Sequence, residues 1–479
     1  MSKIRLAIAG GGVVGGGVCE IIANQASRFA QQGLSLEVAK LLVRDATKAR
    51  DFTLPAGCEV VTSIDEIVND DSIDMVVELI GGVDHAKDLV FRSIENGKHV
   101  VTANKALVAA EMGALTEALA ANPTARLGFE AAVCGGIPII HTLQRDYAGD
   151  CVTQIAGIMN GTTNFILSKM EAEGADFGEV LKEAQDLGFA EADPSADVDG
   201  YDARAKIAIL SRLAFGVEVA ESDINCKGIT AVSADDFEYA AQLGATIKLL
   251  GVGKVTGRSG AVSGAAPSGS LYDGATANVY VSPCIVPSES MLAGCSGAGN
   301  IVEVRSTSLD TSHYVGQGAG RYPTANSVVS DIVQIGTDAQ ATATNSPFPF
   351  STDALKIDDD VEAEFYVRII LFTVTFCGAN PANIFFDLLP LTFNFKMPIQ
   401  VRINVKDEVG IIKDVSSLFE RHGVSIYAIL QAPNKPTDNT PFVITTDTAR
   451  MSSITALADD IESLGCVIEA PLVMPILSS

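Results

Sequence analysis

The chain has 479 residues, 47% of them hydrophobic and 19% charged, and a formal net charge of −26. That length exceeds what one hydrophobic core supports, so about two to four domains are expected, and the composition is that of a folded protein, not a disordered one. The acidic excess without a basic stripe argues against nucleic-acid and anionic-membrane partners, and nine scattered cysteines with no C-x-x-C pair suggest reduced cytoplasmic thiols, not disulfides or zinc.

The first strand-like run, 4–9, starts too early to leave room for a signal or transit peptide, so the cytoplasm is expected, or a plastid if such a peptide was trimmed. Gly10-Gly11-Gly12-Val13-Val14-Gly15 follows, then apolar residues at helical spacing over 18–23. G-x-G-x-x-G between a strand and a helix lets the backbone approach a pyrophosphate at the positive helix end. Gly10, Gly12, Val13, Val14 and Gly15 are therefore candidate cofactor contacts. The second strand, 36–43, ends in Arg44-Asp45. An acidic residue there suits the ribose hydroxyl of NAD. The guanidinium of Arg44, with Lys48 and Arg50 nearby, suits the 2′-phosphate of NADP. NADP is expected, and Asp45 keeps NAD open.

Further strands are expected at 74–80 and 99–103, and Lys105 stands just past the second, at the sheet end where doubly wound folds bind ligands. A strand over 126–132 leads into a glycine-rich turn. Glu130 and carbonyls of that turn either hold a hard monovalent cation or cap the next helix.

A strand over 151–156 delivers the chain to Asn160-Gly161-Thr162-Thr163-Asn164, whose small polar residues can bring N–H groups and hydroxyls to a ligand. A helix over 177–187 stops at Gly188. An acidic loop with Glu191, Asp193, Asp197 and Asp199 then feeds a helix carrying Asp202 and Lys206 on one face. A carboxylate and an ammonium so placed can hold a zwitterion and move a proton. The same spacing describes a surface salt bridge, but the apolar run 207–210 that follows marks a helix entering a core. That helix runs to about 215. Another helix is expected over 235–249, strands with glycine-rich turns over 252–281, and a loop at 294–300. Glycines at 316, 318 and 320 precede Pro323 and a helix over 325–336, read as the chain returning to the nucleotide domain; 337–353 has linker composition.

The runs GGGVVGGG (10–17), VVELIGG (76–82), GKHVVTANKALVA (97–109), FEAAVCGGIPII (129–140), MNGTTNFIL (159–167), AQDLGFAEADPSADVDGYDARAK (184–206) and GQGAGRYPTANSVVSDI (316–332) together resemble the homoserine dehydrogenase family over about 3–336. The resemblance implies an α/β chain. Its parts are a Rossmann-type NAD(P)-binding domain (1–140), an α+β catalytic and dimerisation domain (141–312), a return helix (313–340) and a linker (341–362). The implied reaction interconverts L-homoserine and L-aspartate 4-semialdehyde in threonine, methionine and isoleucine biosynthesis. In that reading Lys206 donates a proton to the aldehyde oxygen, its pKa expected to be lowered by burial and Lys105. Lys105 sits between nicotinamide and substrate. Asp202 and Glu191 bind the substrate's amino end and hydroxyl, while Gly161, Thr162 and Asp197 line the pocket. Gly188 and Gly318 match cofactor contacts. Glu130 with the carbonyls of Val133, Gly135 and Ile137 matches a sodium site. The rivals are a dehydrogenase of another small amino or hydroxy acid and a catalytically silent NADP-sensing regulator; the latter should lack Lys105, Asp202 or Lys206, and all are present.

Residues 401–479 resemble an ACT regulatory module in βαββαβ order, with Asp407-Glu408-Val409-Gly410 in place of the usual D-x-P-G turn. The resemblance implies an amino-acid effector, threonine being the expected one, and a homodimer that pairs into a tetramer through these modules. The module, 363–479, is interrupted. Its first strand begins at 363–369, an apolar, phenylalanine-rich stretch intervenes, and Val401-Arg402-Ile403 restarts it. Segment 367–400 is either a translated intron or a family-specific hairpin.

Overall fold

The computed structural model describes residues 2–216, 220–256, 276–338, 399–406, 411–431, 439–447, 449–464, 467 and 470–476. The apolar runs of the first third become a parallel sheet in the order Glu59–Val61, Leu34–Leu42, Ser2–Ala9, Met75–Glu78, His99–Thr102, Leu127–Gly128. Their continuous hydrophobicity follows from burial on both faces. Leu6, Ile8, Leu41, Met75 and Val101 pack with Val18 of helix Val13–Asn24 and with Ala325, Val328 and Ile332 of helix Arg321–Asp338. The late glycine-rich turn thus does bring a helix back onto the nucleotide-binding sheet.

The strand expected over 126–132 is only Leu127–Gly128, and Glu130–Ala132 is a 3₁₀ turn. The Glu130 N–H donates to Asp331 Oδ2 at 2.9 Å instead of to a neighbouring strand, which ends the ladder there.

A second sheet runs Asp310–Gln317, Gly299–Ser306, Val152–Ile158, Ala245–Thr256, Thr276–Pro287, Asn225–Cys226, antiparallel apart from the last pair. The helix expected over 235–249 ends early, as Ala234–Gln242. Gly244, at φ +66°, turns the chain, and Ala245–Thr256 is a strand. Ile247, Leu249 and Val252 are buried in a strand paired on both sides, a stronger constraint than the helical period carried over from 234–242. The expected loop at 294–300 is shortened by Gly299 and Asn300, which open a strand. Helices Gly161–Glu173 and Tyr201–Phe215 cover this sheet, with Ile166, Leu167, Ile207 and Leu210 in one core with Ile155, Ile247 and Val302.

The C-terminal sheet orders Ile426–Gln431, Asn439–Thr446, Ile399–Lys406 and Leu472–Pro475, all antiparallel, with helices Ile411–Arg421 and Met451–Glu462. This is the expected βαββαβ ferredoxin-like arrangement. Two boundaries shift. The last strand, which the βαββαβ pattern places at the C-terminal end, is only Leu472–Pro475. Ile399 and Gln400, assigned above to the interrupting segment, are part of the first strand, Gln400 pairing with Thr445 and Met474. Ile476 bridges to Ile285, and Met474 joins the core of the second sheet. The linker 341–362, the interruption up to 398 and the 407–410 turn lie outside the described residues. No described helix is long and apolar enough to cross a membrane.

Candidate active site

A cleft of about 940 Å³ opens where the carboxyl ends of the parallel strands meet the start of helix Gly161–Glu173. Doubly wound sheets bind ligands at this end. Val14, Ala103, Lys105 and Ala132 line one side, and Asn160, Gly161, Thr162, Asp197, Asp202 and Lys206 the other.

Asp202 and Lys206 form the centre. Helix Tyr201–Phe215 begins at Gly200, so both residues fall in its first turns and face inward, each 8% exposed. Lys206 Nζ lies 2.7 Å from Asp202 Oδ2 and donates to the Met159 carbonyl at 2.7 Å. Lys105 Nζ approaches the other oxygen, Asp202 Oδ1, at 2.6 Å, with its own side chain 41% exposed toward the cleft. Asn160 Nδ2 reaches Asp202 Oδ2 at 2.9 Å and Asp197 Oδ1 at 2.7 Å. The surface salt-bridge reading is excluded.

The electrostatics differ from the expectation at Lys206. Burial pulls its pKa down, but Asp202 beside it, with Cys134 and Asp197 nearby, outweighs burial and raises it. For Asp202 burial is again the largest influence and pushes upward, yet Lys206, Lys105 and Asn160 together hold the carboxyl below the usual range. Burial raises Asp197, partly offset by the Asn160 and Thr162 hydrogen bonds. At rest the centre is an ammonium–carboxylate–ammonium chain.

The start of helix Gly161–Glu173 is set by Asn160, whose Oδ1 accepts from the Thr163 N–H at 2.8 Å. This cap leaves the Gly161 and Thr162 N–H groups in the first turn, where a helix lacks internal acceptors. Thr162 Oγ1 donates to the Phe189 carbonyl at 2.7 Å, tying the helix to the Gly188-Phe189 segment of the cleft wall. Glu191 is exposed and outside the lining, so this expected substrate contact is not brought to the cluster.

On the nucleotide side, Gly10 has φ +115°, and a Cβ there would stand 2.5 Å from the Leu79 carbonyl oxygen. Only glycine fits this turn. Helix Val13–Asn24 starts directly after Gly12 and aims its N-terminus across the turn, with Val13 exposed and Val14 and Gly318 in the lining. A dinucleotide pyrophosphate fits this cradle. One oxygen of the Asp45 carboxylate, Oδ1, is held in its own turn, accepting from Thr47 N at 2.8 Å and Thr47 Oγ1 at 2.7 Å. Arg50 donates to the Lys48 and Asp45 carbonyls, its Nε lying buried against Gly11 with no partner among the described residues.

Glu130 is 1% exposed and caps helix Ile139–Arg145, accepting from Ile140 N at 2.9 Å and His141 N at 2.6 Å. His141 stands between it and Asp331, Nδ1 to Glu130 at 3.2 Å and Nε2 to Asp331 Oδ1 at 2.8 Å. Burial raises the Glu130 carboxyl pKa despite these donors. Val133, Gly135 and Ile137 follow in the same buried turn, where the Gly135 carbonyl also accepts from Ser327 Oγ at 2.6 Å.

Asn160 is expected from the sequence only as part of a small polar cluster, and Cys134 and Asn300, which also line the cleft, are not expected there. A helix-capping asparagine before Gly161 was readable as a local signal. Asn300 had none, because its partners come from distant parts of the chain.

Comparison with known proteins agrees with this geometry. The family model "Homoserine dehydrogenase" matches residues 138–333 and "Homoserine dehydrogenase, NAD binding domain" residues 10–127. The homoserine dehydrogenase of Bacillus subtilis is 35% identical over 469 residues, covering 96% of each chain. That of Synechocystis is 36% identical over 99% of this chain and all of the relative. A crystal structure of a homoserine dehydrogenase from Thiobacillus denitrificans superimposes with TM-score 0.80 at 32% identity, over 100% of this chain and 99% of the other. A hyperthermophilic archaeal homoserine dehydrogenase solved in complex with NADPH superimposes with TM-score 0.58 at 27% identity, over 70% and 98%. With a Rossmann-type sheet, a buried Lys206–Asp202–Lys105 chain at its ligand-binding end and relatives matching almost end to end, the chain belongs to the homoserine dehydrogenase family.

Proposed function

We propose that Lys206 is the proton donor of the interconversion of L-aspartate 4-semialdehyde and L-homoserine in this cleft. The observation that carries this is the buried contact between Lys206 and Asp202, which keeps an ammonium charged inside the protein. A charged, oriented lysine can protonate the oxygen of an aldehyde as it becomes an alkoxide. Lys105, sharing Asp202, adds a second positive charge for the same oxygen. Asp197 and Asp202 face the substrate's α-ammonium, and the first-turn N–H groups of Gly161 and Thr162 face its carboxylate. Glu191 joins as a substrate ligand if its segment closes over the cleft. When bound, a nicotinamide cofactor supplies or takes the hydride.

NADP is the preferred cofactor in this reading. Asp45 is already engaged by Thr47 and poorly placed to hold a ribose hydroxyl, whereas Arg44 and the unpartnered Arg50 Nε offer donors to a 2′-phosphate. Sodium fits beside Glu130. Two buried carboxylates, Glu130 and Asp331, flank one histidine, and a monovalent cation held by Glu130 and the carbonyls of Val133, Gly135 and Ile137 would balance the remaining charge. The C-terminal unit is an ACT-type module binding an amino acid such as threonine. The enzyme is a cytoplasmic homodimer, and exposed Tyr427 and Ile429 on the module's edge strand support pairing into a tetramer. These reactions serve threonine, methionine and isoleucine synthesis.

The test is absorbance at the nicotinamide band with aspartate semialdehyde and NADPH or NADH. Semialdehyde-dependent oxidation, faster with NADPH, is expected. Lys206→Ala should lower turnover by about 10²–10⁴-fold with NADPH binding retained. Near-normal turnover in that variant removes Lys206 from the mechanism.

A further inference from the structure

One buried amide in the cleft has no role so far. Asn300, near the start of strand Gly299–Ser306, is 1% exposed yet lines the cleft. Its Nδ2 donates to Cys134 Sγ at 3.7 Å. Its Oδ1 is buried with no hydrogen-bond partner among the described residues. Folded proteins rarely leave such an acceptor unmatched, because the lost hydration is not returned.

Two glycines show where the amide lies. A Cβ on Gly318 would overlap the Asn300 carboxamide, and one on Gly161 would lie 3.6 Å from Oδ1. Asn300 therefore stands between the cofactor side and the substrate side. Cys134, whose thiol meets the amide, has φ +52°, an unfavourable conformation for a residue with a Cβ. Strain of this kind persists where the surroundings over-determine it, and here it falls at the cleft.

The chemistry of the missing donor can be narrowed. The substrate's ammonium is faced by Asp197 and Asp202, and carboxylates hold a cation more strongly than an amide oxygen does. Its carboxylate brings no donor, and the reacting oxygen belongs with Lys206 and Lys105. A neutral acceptor buried beside Gly318 suits a neutral N–H, and a nicotinamide carries one on its carboxamide.

Resting on the dehydrogenase reading above, we propose that Asn300 is a positioning residue whose Oδ1 accepts an N–H of the nicotinamide carboxamide. The bond fixes the rotation of the ring and so the face it turns to the substrate. Losing it should affect turnover more than substrate affinity, because misorientation acts on the reacting geometry.

The first measurement uses the wild-type protein and cofactor ¹⁵N-labelled at the carboxamide. In the binary complex one amide proton should exchange with solvent at least about tenfold more slowly than in the free cofactor, a protection typical of a buried hydrogen bond. Asn300→Ala should abolish that protection and lower kcat about 10–100-fold while leaving the KM for homoserine nearly unchanged. Replacing the natural cofactor by its 3-acetylpyridine analogue, which has a methyl group in place of NH₂, should cost the wild type more than it costs Asn300→Ala. Asn300→Asp, which keeps the acceptor, should retain most of the wild-type preference. Unprotected amide protons in the wild type overturn the proposal, as does an Asn300→Ala variant that keeps the preference for the carboxamide and instead raises the KM for homoserine. The exchange measurement needs no turnover and no variant. If Asn300→Ala fails to fold, the same exchange measurement on Asn300→Leu, which keeps the side-chain volume without an acceptor, should lose the protection, and protection retained there overturns the proposal; absent turnover in wild type counts against the dehydrogenase reading alone.

Discussion

Lys206 is under two opposed influences, and the balance between them sets a pH dependence. Burial favours the neutral amine, but Asp202 at 2.7 Å wins, so the folded-state pKa is raised. The donor form is then present throughout the neutral range and lost only as pH rises through that raised value. Semialdehyde reduction should accordingly hold steady across neutrality and fall at the alkaline end. Homoserine oxidation needs the neutral amine and should climb with pH over the same range. Initial rates in both directions against pH check this, and oxidation that peaks at acidic pH would assign the acid–base role elsewhere. Asp202→Asn should move the oxidation profile to lower pH, since it removes the charge that holds the Lys206 proton. Buffer titration of the variant at saturating cofactor reads that shift directly.

At the scale of elements, the helix expected over 235–249 shows how an apolar run can suit two periods. Residues 245–249 carry apolar side chains that suit either period, and pairing with Thr276–Pro287 in a strand that continues into the sheet at 251–254 decided for sheet. Strand Ile399–Lys406 presents a different case. Gln400 is fully buried in the C-terminal sheet, and neither amide atom has a hydrogen-bond partner among the described residues. Removing 367–400 would put Tyr366, with a largely apolar ring, at that position. If the segment is an unremoved interruption, the deletion should stabilise the module by about 1–3 kcal/mol, the usual cost of burying an unmatched polar group. Denaturant unfolding of the two forms measures it. A destabilised deletion would favour a genuine insertion with contacts of its own.

Across the whole molecule, the C-terminal module does not hang free of the catalytic sheet. Ile476 bridges to Ile285, and the Met474 side chain is buried with Val302 and Ile247 in the catalytic core. Met474→Ala should therefore cost about 2–5 kcal/mol and lower the unfolding temperature of the catalytic domain together with that of the module. Differential scanning calorimetry tests this coupling, and an unchanged catalytic transition would show that the two units unfold independently. The same contact gives the effector proposed for the module a route to strand Thr276–Pro287, which packs against the helix carrying Asp202 and Lys206.

The doubly wound start, the cofactor cradle, the helix that places Asp202 and Lys206 on one face, and the βαββαβ order of the C-terminal unit are legible in the residues alone. All of these rest on short-range rules: Gly10 permits a backbone no other residue adopts, side chains four apart share a helical face, and apolar runs mark buried strands. Tertiary structure alone decided the rest. It set the sign of the Lys206 shift, because Asp202, Asp197 and Cys134 act through space against burial. It placed His141 between Glu130, the cap one of the two sequence readings expected, and Asp331, a residue two hundred and one positions from Glu130. It left Glu191 outside the cleft lining and brought Asn300 into it between Gly161 and Gly318. Charge interactions and unmatched polar atoms depend on distances between residues far apart in the chain, and local patterns carry no record of those distances.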